Sequence, residues 1–206
     1  IMNSWLNMLY EGGWVMVPLG ICSILALAII CERFFVLRKT KNIPTHLVQS
    51  LSYVNTEKDL ETIRSTSQRT NSPLGILITE IINLKNEPKD ILTEHIYTLG
   101  RAQITNLERG LTLLEIIAMI SPLLGLLGTV LGMVDIFNVI TAGGLGNTQM
   151  LASGIAKALI TTVVGLIIGI PSLVAYHLYI RKVEEIGIEL QGIVVPFLTK
   201  VKNIVK

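Results

Sequence analysis

Charge is missing from three long stretches of this chain, and each gap argues against a water-exposed segment. Trp14 to Cys31, the nineteen residues IIAMISPLLGLLGTVLGMV between Glu115 and Asp135, and Ala158 to Ile180 contain no Asp, Glu, Lys or Arg. Charged residues make up only 16% of 206, half the chain is hydrophobic, and aromatics reach only 5%. With a mean hydropathy of +0.60, this is not the balance of a soluble enzyme. Cysteine is scarce as well. Cys22 and Cys31 fall in one apolar run, ~13 Å apart along a helix axis, which excludes a disulfide between them. Their surroundings exclude a metal knuckle, and both read as small hydrophobes. A phosphate-binding GxxxxGK[ST] loop is absent, because GLLGTVLG has no Lys and lies inside an apolar run. No Ser, His and acid constellation stands out, His46 and His95 are isolated, and the basic residues are interspersed with acids rather than clustered for nucleic acid. No metal or cofactor is expected. Energy for any work must come from the membrane.

The apolar runs themselves have the length of bilayer spans. Glu115 and Asp135 bracket a helix of ~30 Å at ~1.5 Å per residue, the thickness of the hydrocarbon layer. Orientation follows from the cations, which resist translocation. Eleven lie between Arg33 and Arg109, five between Arg181 and Lys206, and Lys157 is the only other. The expected organisation is an outer interfacial N-terminus (1–13, with a short helix over Met2 to Tyr10 and no removable signal peptide), a first span (14–35), a cytoplasmic helical segment (36–112), a second span (113–136), a short outer loop (137–150), a third span (151–180) and a cytoplasmic C-terminal helix (181–206). The fold class is all-α: an integral membrane protein with three transmembrane helices, two of them extended far into the cytoplasm.

Within the middle segment, Asn71-Ser72-Pro73 reads as a helix cap followed by LGILITEIINL, which stops at Asn86-Glu87-Pro88. From Lys89 no Pro or paired Gly interrupts the chain until Ser121-Pro122, so one continuous helix from about 89 to 140 is expected. The third span continues into KVEEIGIELQGIVVPFLTKVKNIVK, with apolar residues at Val183, Ile186, Ile188, Leu190 and Ile193 to Val195. A lone copy with that much apolar cytoplasmic surface predicts a homo-oligomeric bundle.

The second and third spans each carry a stripe of small and hydroxyl side chains at helical spacing: Ser121, Gly125, Thr129 and Gly132, then Ala158, Thr162, Gly165, Gly169 and Ser172. Two readings fit. Small residues let helix backbones approach, and Gly128/Gly132 and Gly165/Gly169 are GxxxG pairs. Alternatively the hydroxyls organise water in a narrow lumen, unless they bond back to their own helix carbonyls.

LEIIAMISPLLGLLGTVLGM followed by SGIAKALITTVVGLIIGIPSLVAY resembles the paired signature of the ExbB, TolQ and MotA proton-channel family. The opening GGWVMVPLGICSILALAIICERFFVLR is similar to that family's first span with its terminal Glu-Arg pair. The likeness covers most of the chain and is nearest the three-span ExbB and TolQ branch. It implies a homopentamer in the bacterial inner membrane whose second and third spans line a lumen, with Ser121, Gly125, Thr129, Thr161, Thr162 and Gly165 as pore-lining candidates. It also implies a single-span partner similar to ExbD or TolR, whose membrane Asp is faced by Thr129 and Thr162 and carries the translocated ion, H⁺. Proton passage would then drive motion that does work on the cell envelope. The chain has no acid of its own between Glu115 and Asp135, as a borrowed carboxylate requires.

One position departs from the pattern. This chain reads GIAKAL where relatives often read GIAEAL, which puts Lys157 near the outer mouth. Helical rise sets Asp135 and Lys157 at similar distances outward from Thr129 and Thr162, so an outer-mouth ion pair is expected. The contrary reading is that Lys157 snorkels to the headgroups. Glu115 is a candidate cytoplasmic proton acceptor or exit, or else a solvated boundary residue. His177, beside Tyr176 and Tyr179, fits an interfacial aromatic belt. Two rival functions remain beside the motor: a non-conducting scaffold that stabilises a partner, and a sodium-driven, Tol-type or gliding-type stator.

Overall fold

The computed structural model describes residues 13–141 and 148–205, apart from the side chains of 139–141, 148–151, 153 and 157. The expected N-terminal interfacial helix and the middle of the outer loop lie outside the described residues. Among those described, every element is helical: α1 (Met16–Val36), α2 (Lys39–Asn42), α3 (Thr45–Ser52), α4 (Glu57–Arg69), α5 (Pro73–Asn83), α6 (Lys89–Glu108), α7 (Leu111–Thr141) and α8 (Thr148–Ile204). Among the described residues, three helical stretches are long and apolar enough to cross a membrane, within Met16–Val36, Lys89–Asn138 and Gly154–Ile204. They match the three uncharged runs.

The chain divides into two compact units. Of the described residues, the first comprises those up to Glu32 together with those of Gly110–Leu178, and the second comprises Arg33–Arg109 and those from Tyr179 on. In the first unit, α1 buries one stripe, Leu19, Ala26 and Ile29, and exposes Val17, Ile21, Ile24 and Leu27. Helix α7 likewise exposes Met119, Leu123, Val130 and Phe137, and α8 exposes Leu159, Val163, Ile167 and Ile170. Water would not tolerate such faces, whereas lipid would.

The second unit is built as a water-soluble domain is. A capping box opens α4: Thr56 accepts from the Asp59 backbone N–H, and the Asp59 carboxylate accepts from Thr56 N–H. Ser72 caps α5 by accepting from Gly75 N–H at 3.1 Å, with Pro73 at the first helical position, as the sequence leads one to expect. Buried Leu47, Leu60, Leu74, Ile78, Ile81 and Leu92 form the core.

Two expectations fail here. The helix from 89 does not run on to 140: it ends at Glu108 with Arg109 as its cap, and Gly110 takes φ +84°. That left-handed conformation is open to glycine at little cost and ends a helix without any proline. Nor does the C-terminal amphipathic stretch leave its apolar stripe exposed. Val183, Ile186, Leu190, Val194, Leu198 and Val201 are buried within the chain's own second unit. Lys200 donates to Ser52 O at 2.9 Å and Lys202 to Lys85 O at 2.7 Å and to Glu87 O, so lysines satisfy carbonyls left free where α3 and α5 end. Apolar exposure in this stretch is therefore a weaker reason for self-assembly than the sequence indicates, although Ile188 and Val195 do remain exposed.

Candidate ion-pathway site

Helices α7 and α8 meet along a seam of small residues. A Cβ on Gly125 would lie 2.8 Å from Thr161 O and 2.9 Å from Thr162 Cα, one on Gly165 would lie 2.5 Å from Ser121 O, and one on Gly132 would lie 2.9 Å from Ala158 Cβ. Gly169 rests on the Pro122 ring, at 2.8 Å by the same measure. At these points backbone touches backbone, a single methyl or the Pro122 ring, which only glycine allows. Thr161 ties the seam together: its Oγ1 lies 2.7 Å from Ala158 O and 3.2 Å from Gly125 O across the interface.

The pairing is antiparallel and its register is fixed by these contacts. Gly128 faces Thr161, Gly132 faces Ala158, and Ile136 faces Gly154. Thr129 and Thr162 therefore stand at one level, each a single residue, ~100° of helix turn, off the line of closest approach.

This placement divides the pore-lining candidates into two groups. Ser121 and Thr161 are 0% and 1% exposed, and Gly125 and Gly165 sit at the backbone contacts. All four are occupied by the neighbouring helix, so the packing reading accounts for them. Thr129 and Thr162 are left half-exposed at the edge of the seam. The sequence stripe ran through Thr129, whereas the true line runs through Gly128, and Thr161 replaces Thr162 on the other side.

Hydroxyl bonding separates the two threonines. Ser121 donates to Ile117 O, Thr129 to Leu126 O and Ser172 to Ile168 O, each at 2.7 Å. These are back-bonds to their own helices. Among the described residues the Thr162 Oγ1 is shielded from solvent and has no hydrogen-bond partner. Glu115 is half-exposed in the second turn of α7, and Asp135 is exposed near its other end. The Lys157 side chain lies outside the described residues, so the ion pair is addressed only through backbone register, which sets Asp135 opposite the stretch of α8 that holds residue 157.

Comparison with known proteins bears on what such a seam does. Residues 69–191 match the model of the MotA/TolQ/ExbB proton channel family. A Synechocystis protein named "putative biopolymer transport protein ExbB-like 3" is 30% identical over 177 residues, covering 83% of this chain and 84% of the relative. The biopolymer transport protein ExbB of Aquifex aeolicus is 40% identical over 87 residues, 42% of this chain and 59% of its own. The Tol-Pal system protein TolQ of Haemophilus influenzae is 35% identical over 97 residues, 47% and 42% of the respective chains. The family match takes in the whole α7–α8 seam as well as α5 and α6, and the Synechocystis relative aligns over most of both chains, so this chain belongs to the MotA/TolQ/ExbB proton channel family.

Proposed function

We propose that the chain is the channel-forming subunit of a proton-driven motor in the bacterial inner membrane, with its C-terminus cytoplasmic. It assembles with copies of itself, as a homopentamer, around a single-span partner of the ExbD/TolR kind that carries a membrane Asp, and it turns proton motive force into work on the cell envelope. The observation that carries this reading is the Thr162 hydroxyl. A shielded, unpaired hydroxyl costs ~1–3 kcal/mol, which a turn of the half-exposed Thr162 side chain toward a carboxylate brought by a partner helix would recover. Thr129 stands level with it, and its oxygen can still accept while its proton is held by Leu126 O. One charge crossing ~100 mV releases ~2.3 kcal/mol, so several protons are needed per work cycle.

The test is proton flux through the co-purified complex reconstituted in vesicles. Replacing both threonines (Thr129→Val with Thr162→Val) is expected to cut flux by about ten- to a hundredfold, the worth of one hydrogen bond to a charged group. Unchanged flux, or no flux in the parent complex, would reject the motor and leave the scaffold.

The register also supports an outer-mouth ion pair between Asp135 and Lys157. Exchanging the two charges (Asp135→Lys with Lys157→Asp) is expected to preserve flux better than either reversal alone. Equal loss in all three variants removes the pairing. Glu115, half-exposed at the opposite end of α7, is the proposed proton exit.

A further inference from the structure

Where α1 leaves its apolar stretch, Phe34 and Phe35 are 58% and 59% exposed. Their rings stand edge to face, with centroids 5.6 Å apart. The Arg38 guanidinium carbon lies over both, 5.4 Å from one centroid and 5.2 Å from the other. Among the described residues neither Arg38 nor Lys41 has an acidic partner, whereas Lys39 between them is committed to Glu189 at 2.8 Å. The turn that presents these cations is held in place. Buried Asn42 donates from Nδ2 to Val36 O at 2.8 Å and to Arg38 O at 3.1 Å, and Lys41 N–H donates to Arg38 O at 3.0 Å. Two exposed cations three residues apart thus sit on a rigid turn just beyond a membrane span, above an exposed aromatic pair.

We infer that this turn binds the headgroup of an anionic phospholipid, with Arg38 and Lys41 taking the phosphate and the acyl chains lying along Phe34 and Phe35. An arginine seated on ring faces keeps its N–H edges for a phosphate, which it grips bidentately. The rings are already occupied by Arg38, so they offer no cage for the quaternary amine of a zwitterionic headgroup, and that amine would be repelled by both cations. The site requires that α1 crosses a bilayer and is independent of whether the assembly conducts protons.

Native mass spectrometry of the detergent-solubilised full chain tests this, with phosphatidylglycerol and phosphatidylcholine of identical acyl chains as probes. The parent chain is expected to retain phosphatidylglycerol preferentially, by about fivefold for each cation engaged. Removing both cations (Arg38→Gln with Lys41→Gln) should abolish the preference. Removing two others from the same unit (Lys58→Gln with Lys89→Gln) should leave it intact. Changing both rings (Phe34→Leu with Phe35→Leu), which preserves charge, should weaken it severalfold. No preference in the parent, the same loss in the Lys58/Lys89 control, or displacement of the lipid by millimolar inorganic phosphate would overturn the assignment.

Discussion

The α7–α8 seam and the core of the second unit are both well buried, yet they share almost no residue types. The seam is glycine, serine, threonine and alanine, with Gly165 against Ser121 O and Gly132 against Ala158. The core is leucine, isoleucine and valine, with Leu47, Leu60, Leu74 and Ile78 all fully shielded. The difference follows from the solvent. In lipid an apolar side chain gains nothing by leaving the surface, so helices associate through close backbone approach and hydrogen bonds. In water each fully buried Leu or Ile contributes about 2–3 kcal/mol. One chain therefore carries two packing codes, and α8 uses both: small residues through Ser172, then Val183, Ile186 and Leu190.

The largest effect is expected where the seam is least able to yield. In Gly165→Val the new Cβ lies 2.5 Å from Ser121 O and 3.2 Å from Gly125 Cα. Both obstacles are backbone, so no rotamer change relieves them. The helix pair should separate and proton flux should vanish. Spin labels at Met133→Cys and Leu159→Cys, in a chain with both native cysteines replaced, report the pairing as a narrow distance distribution that should broaden. A narrow distribution with full flux would show that the seam tolerates what its geometry forbids.

The second unit should answer to volume instead. Ile78→Ala in α5 removes a fully buried side chain and is expected to cost ~2–5 kcal/mol. Leu123→Ala in α7, a residue exposed within the uncharged run, should cost far less, because lipid replaces the lost contacts. Chemical denaturation in detergent, followed by far-ultraviolet circular dichroism, compares the two. Equal losses would mean that the exposed face of α7 packs against protein.

A smaller effect of opposite sign is expected at glycines outside the seam. A Cβ on Gly192 of α8 meets nothing within 4 Å, so Gly192→Ala should raise stability by ~0.5–1 kcal/mol through helix propensity alone. Destabilisation in the assembled complex, with stabilisation in the isolated chain, would locate a subunit contact at that point.

Much of this arrangement is legible in the sequence, and the misses share a physical origin. The spans appear as runs without charge, and α5 announces itself through Ser72-Pro73. Gly110 is hard to read as a helix end because a single glycine without a following proline is a weak stop signal, decided by φ rather than composition. The seam was displaced by one residue because Ser121, Gly125 and Gly132 fit a helical stripe through either Gly128 or Thr129, and only the facing helix distinguishes them. The burial of the C-terminal stripe was invisible for another reason. Its partners are distant in sequence: Lys202 reaches Lys85 O across 117 residues, and Lys200 reaches Ser52 O across 148.

Acid should sharpen the same contrast with the smallest effect, confined to the second unit. Backbone N–H donation from Asn55, then the Thr56 hydroxyl and N–H, hold the Asp59 carboxyl below its ordinary value near 3.8. The Lys182 ammonium, with Arg181 and Lys39 behind it, does the same for Glu185 relative to 4.5. Each group binds its proton more weakly when folded than when unfolded. Their contribution is therefore complete above the ordinary values and declines as pH falls through the depressed ones. Below about pH 4.5 the denaturation midpoint of the second unit should fall, and in the double variant (Asp59→Asn with Glu185→Gln) it should start lower at pH 7 and fall less. Glu185 is exposed and Asp59 half-exposed, so salt should shrink the Glu185 part, while the Asp59 part, made of short-range hydrogen bonds, should persist. Among the described residues the glycine contacts from Ser121 to Gly132 include no carboxylate, so in a chain whose Asp135 is replaced by Asn the label distances across the seam should hold constant over this pH range; a change there would mean that the two packing codes are coupled through α8.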